Sequence, residues 1–198
     1  MKILCFILIS SAPVFGQSFG DDNPTGDWLP TPDAYVWPAA AKGVRDFNPV
    51  QRKFSDLDKA KQKAIEAYWP EDDAPEHVAM DELDLNGDGR KEIFFSIPAY
   101  GGTGGNFYQV LTTKDGKSYQ GVGGIGGWGV QFLKRKNGWV QIEAMSRGGG
   151  GHYTRYLMTF IGKKYQTSRL EDHDYNAKKA TVREVKVKPE EPKRELDD

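Results

Sequence analysis

The sequence predicts a mainly β, α+β fold: an antiparallel sheet sandwich or curled sheet with one packing helix near the N-terminus. Three observations predict it. Glycine is abundant, 23 of 198 residues, and aromatics make up 12%, a composition that suits turns and strands better than helices. Beyond Pro70 the apolar residues change from helical spacing to a period of two. Three hairpin signals, Asp115-Gly116, Asn137-Gly138 and Gly162, then separate short strand-like runs.

The length suits one globular domain with tails. Residues 1–16 have the pattern of a secretory signal: Lys2, an apolar run from Ile3 to Ile9, and a small-residue ending at Val14-Phe15-Gly16. That run is too short to span a bilayer. Its removal would leave no integral membrane segment and would take away Cys5, the only cysteine. The expected location is therefore secreted or periplasmic, in the cell envelope, with no disulfide to hold the domain. Residues 17–33, rich in Gly, Asp and Pro, read as a linker, and residues 34–170 as the domain.

A helix is expected over about 55–69. Ser55 is placed to cap it, and Leu57, Ala60, Ala64, Ile65 and Tyr68 share one face. Lys59, Gln62 and Glu66 fall on the opposite face, and Pro70 ends the helix. Strands follow: Ile93, Phe95 and Ile97 alternate with Phe94 and Ser96, and the three hairpins succeed them.

A weak internal repeat runs beneath these hairpins. With a shift of 46 residues, Gly102–Gln120 lies over Gly148–Gln166 with nine identities in nineteen positions. Two copies cannot close a propeller ring, so pseudo-repeats within one sheet system are expected. Residues 171–198 hold nine acids and seven bases. They read as a charged, disordered tail, although Val185 and Val187 alternate as an edge strand would.

The segment richest in chemistry is Asp84-Leu85-Asn86-Gly87-Asp88-Gly89-Arg90-Lys91-Glu92. Oxygen-bearing side chains recur at its positions 1, 3, 5 and 9. Calcium takes six to eight oxygens at about 2.3–2.6 Å, and alternate residues converge on one ion only where the chain wraps around it. Gly89 permits the sharp turn and presents the Arg90 carbonyl. The metal ligands expected are Asp84, Asn86, Asp88, the Arg90 carbonyl and Glu92, with Ca2+ as the ion. Leu83, Leu85 and Ile93 would anchor the loop to the core. An ion-free turn accounts for the Asn-Gly and Asp-Gly pairs but not for three carboxylates close together.

The loop resembles that of EF-hands, except that Phe95 stands where a bidentate glutamate belongs and the exit segment is strand-like. It is more similar to the Asp-x-Asn-x-Asp-Gly loops of VCBS/FG-GAP-type extracellular β proteins. Residues 80–166 also resemble a group of exported bacterial proteins of unassigned function, which pair such a loop with a Gly-Thr-Gly-Gly segment, here Gly102–Gly105. That resemblance implies an exported calcium-loop domain and no particular reaction.

Other signals are weaker. Gly121-x-Gly123-x-x-Gly126 matches the dinucleotide fingerprint in letters, but strand-like Val130 to Leu133 follows where a helix is needed. His77, His152 and His173 have no zinc-site spacing. A net charge of −1 gives no footprint for nucleic acid. The reading that collects these features is an exported, calcium-binding β domain acting as a binding or interaction module. It has no catalytic signature, and its partner is an extracellular or envelope protein or glycan. Tyr100, Phe107, Trp128, Trp139, Tyr153 and Tyr156 are candidates for the binding face, beside Gly-rich loops in which Asn106 and His152 hold matching positions. A hydrolase with a structural calcium, and an envelope structural or inhibitor-like protein, are the alternatives.

Overall fold

A computed structural model describes residues 39–69, 74–96, 102, 105–127, 129–174 and 176–186. The expected signal at 1–16, the linker at 17–33, Pro70, Ile97, Tyr100, Trp128, Val187 and the middle of the first Gly-rich loop lie outside them.

The architecture is two antiparallel five-stranded sheets. The first contains β1 (Val50–Lys53), β2 (His77–Leu83), β3 (Glu92–Ser96), β4 (Asn106–Thr113) and β5 (Tyr119–Gly127), side by side in that order. The second contains β6 (Gly129–Lys136), β7 (Trp139–Arg147), β8 (His152–Ile161), β9 (Lys164–Asp174) and β10 (Lys179–Glu184), again in sequence order. One shared core lies between them: Phe94, Tyr108, Val110, Val122 and Ile125 from the first sheet meet Phe132, Val140, Ile142, Ala144, Met158 and Tyr165 from the second. The mainly β expectation holds.

The glycine run that mimics a nucleotide fingerprint lies inside β5, and no helix follows it. Its purpose is close approach. Gly127 has φ of +148°, and a Cβ there would run into the Met145 carbonyl on β7. Opposite the run, the β4–β5 register slips between Val110 and Leu111, a bulge. The 46-residue repeat coincides with real boundaries: β4 begins at Asn106 and β8 at His152, and each leads into a hairpin.

The helix is shorter than its sequence pattern. A 3-10 turn occupies Phe54–Asp56, and α1 spans Lys59–Glu66. Its cap is Asp58, not Ser55: Asp58 Oδ1 accepts from the Lys61 N–H at 2.9 Å. Gln62, expected on the solvent face, is buried. Its Nε2 donates to the carbonyls of Phe54, Ser55 and Leu57 at 3.1, 3.2 and 2.9 Å. It thereby serves the Ser55 and Leu57 carbonyls and adds a second donor to the Phe54 carbonyl, which already takes the Leu57 N–H. Tyr68, placed on the buried face by its spacing, is 37% exposed. The helix covers the outer face of the first sheet, where Ile65 joins Phe54, Val78, Met80, Ile93, Phe95 and Leu111 in a second apolar cluster. This explains why all five residues of β3 are buried rather than alternate ones.

The domain also extends past residue 170. β9 continues to Asp174 and pairs with β10 from Lys179↔Asp174 to Glu184↔Arg169. The Val185 N–H adds a bond to the Ser168 carbonyl at 3.0 Å. The charge count of this segment concealed an alternation that places Glu171 and His173 in the interior.

Candidate functional site

The Asp84–Glu92 loop joins β2 to β3, its exit leads into a strand, and Leu83, Leu85 and Ile93 anchor it in the interior, as their spacing predicts. Its side chains turn upon its own backbone. Asp84 accepts from the N–H groups of Gly87 (2.5 Å) and Gly89 (3.0 Å), Asn86 Oδ1 from Asp88 N–H (2.8 Å), and Asp88 Oδ1 from Arg90 N–H (2.7 Å). Gly87 and Gly89 hold φ of +82° and +84°, which this winding requires.

Glu92 faces the other way. It is wholly buried and accepts from Leu85 N–H (2.7 Å), Asn86 Nδ2 (3.2 Å) and Thr112 Oγ1 (2.8 Å). Burial raises its carboxyl above the usual range. The negative charges of Asp88 and Asp84 act in the same direction, against the bonds from Leu85 and Thr112. Among the described residues, no three His, Cys, Asp or Glu side chains are grouped to hold a metal ion. The donor chemistry still fits a hard cation: Asp84, Asn86 and Asp88 are carboxylate and amide residues, none of them buried. Glu92 meets them through Asn86 Nδ2. It clamps the loop from behind.

No motif in the chain marks Arg135. Its Nη1 donates to the Leu85 carbonyl at 2.6 Å and to Gly138 at 3.4 Å, and its Nη2 to Asp84 at 3.3 Å. The Val140 N–H also donates to the Leu85 carbonyl, at 2.8 Å. A loop of the first sheet is thus bound to the β6–β7 hairpin of the second.

A second polar constellation lies on the outer face of the second sheet. On β7, Val140, Ile142 and Ala144 point to the core, so Gln141 and Glu143 point away from it, yet both are buried. Arg155 Nε and Nη2 donate to Glu143 Oε1 at 2.7 and 2.5 Å. Arg155 Nη1 lies 4.0 Å from Glu171, and His173 Nε2 lies 2.8 Å from Glu171 Oε1. Tyr153 stacks on the His173 ring with centroids 4.4 Å apart. Burial, then Arg155, holds the His173 imidazole down at about 4 against the pull of Asp172. Burial raises Glu143, with Arg155 opposing it. The register could have exposed this group, since Arg155 pairs with Glu171 and Tyr153 with His173, but no local motif marks it.

Asn106 and His152, which the repeat sets in register, hold modest local contacts. Asn106 Nδ2 lies 3.4 Å from Tyr108 Oη, and His152 Nε2 lies 3.8 Å from Asp174. Of the aromatics considered for a binding face, Phe107 covers Gly124 and Gly126 of β5, and Trp139 stacks on Phe160 with centroids 3.9 Å apart. Their faces are committed to packing.

The fold and site together define a two-sheet antiparallel β protein with a wound Asx loop between β2 and β3. Comparison with models of protein families, with characterised proteins and with solved structures finds no match to this chain. Among the described residues, no helix is long and apolar enough to cross a membrane.

Proposed function

We propose that this chain is an exported, calcium-binding β domain that works as an interaction module, with an extracellular or envelope protein or glycan as its partner. The observation that carries the calcium reading is the wound loop itself. Asp84, Asn86 and Asp88 supply hard oxygens within one short, partly exposed turn of chain. Leu85, Arg135 and Val140 fasten it to both sheets. An ion there would be held by those three side chains and the Arg90 carbonyl, with Glu92 as the clamp behind them. It would tighten the junction between the sheets of a domain that has no disulfide after loss of Cys5.

Calcium titration followed by thermal melting tests this. Free calcium at about a hundred times its dissociation constant adds about 2.7 kcal/mol when only the folded state binds. Asp88→Ala is expected to abolish that gain, while Glu92→Gln keeps part of it. A melting temperature that neither calcium nor a chelator moves would refute the metal site.

A further inference from the structure

We infer that the β1 edge of the first sheet, with the groove beside it, docks an extended, acidic peptide segment that adds to β1 as a further strand. The groove has a volume of about 550 Å³ and is lined by Arg45, Asn48, Val50, Arg52, Met80 and Lys91, together with Asp46, Asp81 and Glu82. It goes beyond the calcium reading and does not depend on it.

Backbone geometry supplies the first part. The Phe54 N–H donates to the Glu76 carbonyl, and the register runs on through Lys53↔His77, Arg52↔Val78, Gln51↔Ala79 and Val50↔Met80. In an antiparallel pair, mutually bonded positions recur at every second residue. Arg52 and Val50 therefore bond to β2. Gln51 and Lys53 direct their N–H and C=O groups away from it, towards solvent. All four residues of β1 are exposed. On the second sheet the β6 edge is covered: Ala41 N–H donates to the Phe132 carbonyl and Lys134 N–H to the Ala39 carbonyl. Pro49 lacks an N–H and marks where pairing along β1 ends.

Side chains supply the second part. Two of the three acids in the groove are already engaged. Asp81 accepts both arms of Arg45, the Asn48 N–H and the Glu82 N–H. Burial opposes the charge on Asp81, but Arg45 and the two N–H groups outweigh it and hold the carboxyl below its ordinary value. Glu82 takes the Lys61 ammonium at 3.0 Å. Among the described residues Arg52 and Lys91 make no ion pair, and Asp46 is the third acid of the lining. Val50 is 43% exposed on the same face as Arg52, above Met80. Free strand bonds, an apolar step and two available cations together fit an extended segment that alternates apolar residues with carboxylates.

The test uses a short, dye-labelled peptide of alternating valine and glutamate, with fluorescence anisotropy read throughout in chelator so that calcium has no part. The acidic peptide is expected to bind at least about tenfold more tightly than its glutamine counterpart. The Arg52→Ala, Lys91→Ala double variant should lose about that factor with an unchanged melting temperature, since both side chains are exposed. Gln51→Pro removes an N–H that points to solvent and leaves the β1–β2 bonds in place, and it should weaken binding by a similar factor. Equal binding of the acidic and glutamine peptides, or no binding by either, overturns the proposal. Full affinity in Gln51→Pro overturns it as well, because it would reduce the contact to charge alone.

Discussion

The middles of the outer faces of the two sheets are both closed to water, by opposite means. On the first sheet, α1 lays Ile65 over Val78, Met80, Ile93, Phe95 and Leu111. This face is held by buried apolar area, at roughly 25 cal/mol per Å². On the second sheet, Glu143, Arg155, Glu171 and His173 are all buried: Arg155 bonds to Glu143 and lies 4.0 Å from Glu171, and His173 stands neutral beside Glu171. Such a face gains little over an apolar one while intact, and it is costly to break, because each remaining charge is left without its partner. The first face therefore tolerates changes of pH and is sensitive to lost volume, and the second is sensitive to lost charge and to protons.

Truncation after Leu170 breaks the comparison most severely. It removes Glu171, His173 and all of β10 and takes Glu171 away from Arg155. Cooperative unfolding should be lost, as read by calorimetry. A shortened chain that melts like the full one would mean that the second outer face contributes nothing.

Point substitutions give the next largest effects. Arg155→Ala should cost about 3–5 kcal/mol in urea unfolding by stranding buried carboxylates. Ile65→Ala should cost about 2–5 kcal/mol through the cavity it leaves. The two should part company in the double variants. Adding Glu143→Gln to Arg155→Ala should recover stability, whereas no neutral partner change rescues Ile65→Ala.

The smallest effect is the most diagnostic of charge. The folded His173 value of about 4 lies below its ordinary 6.5. The unfolded chain therefore binds more protons between those limits, and this histidine's contribution to stability is lost as pH falls from about 6.5 to 4. Glu143 runs the other way: its raised folded value costs stability as pH rises above the ordinary carboxyl range. Comparing wild type with His173→Asn isolates the histidine. The difference in melting temperature should shift across that window in wild type's disfavour on acidification, whereas Ile65→Ala should follow wild type in parallel. A flat difference for His173→Asn would show that the imidazole does not titrate there.

What the sequence displays of this fold is what depends on neighbours in the chain. Asn137 and Gly138 adopt φ of 54° and 81° and turn β6 into β7, and Asp115 ties its turn through the N–H groups of Lys117 and Ser118 at 2.8 Å. Those hairpins were legible because the turn residues carry the whole requirement. The polarity of Gln62 suggests exposure, whereas the carbonyls it reaches belong to and follow a 3-10 turn that the residue pattern does not announce. Glu92 was legible as part of the loop but not in its direction, which Thr112, twenty residues away, decides. The Glu171–His173 pair was hidden inside a segment dense in charge. Only its register against Arg155 and Tyr153, a long-range fact, sets it apart from solvated residues.

The order of strands has a consequence for how the molecule forms. Within each sheet every strand lies beside its neighbour in sequence, with no crossover, and residue 128 alone separates the last strand of one sheet from the first of the other. Each pairing closes only the loop between adjacent strands, so little chain entropy is lost at any step. Both sheets can grow by successive addition of hairpins from any starting turn. Folding should then be faster than in sandwiches whose strands must find distant partners, because the sequence separation of contacts, more than their number, sets the rate.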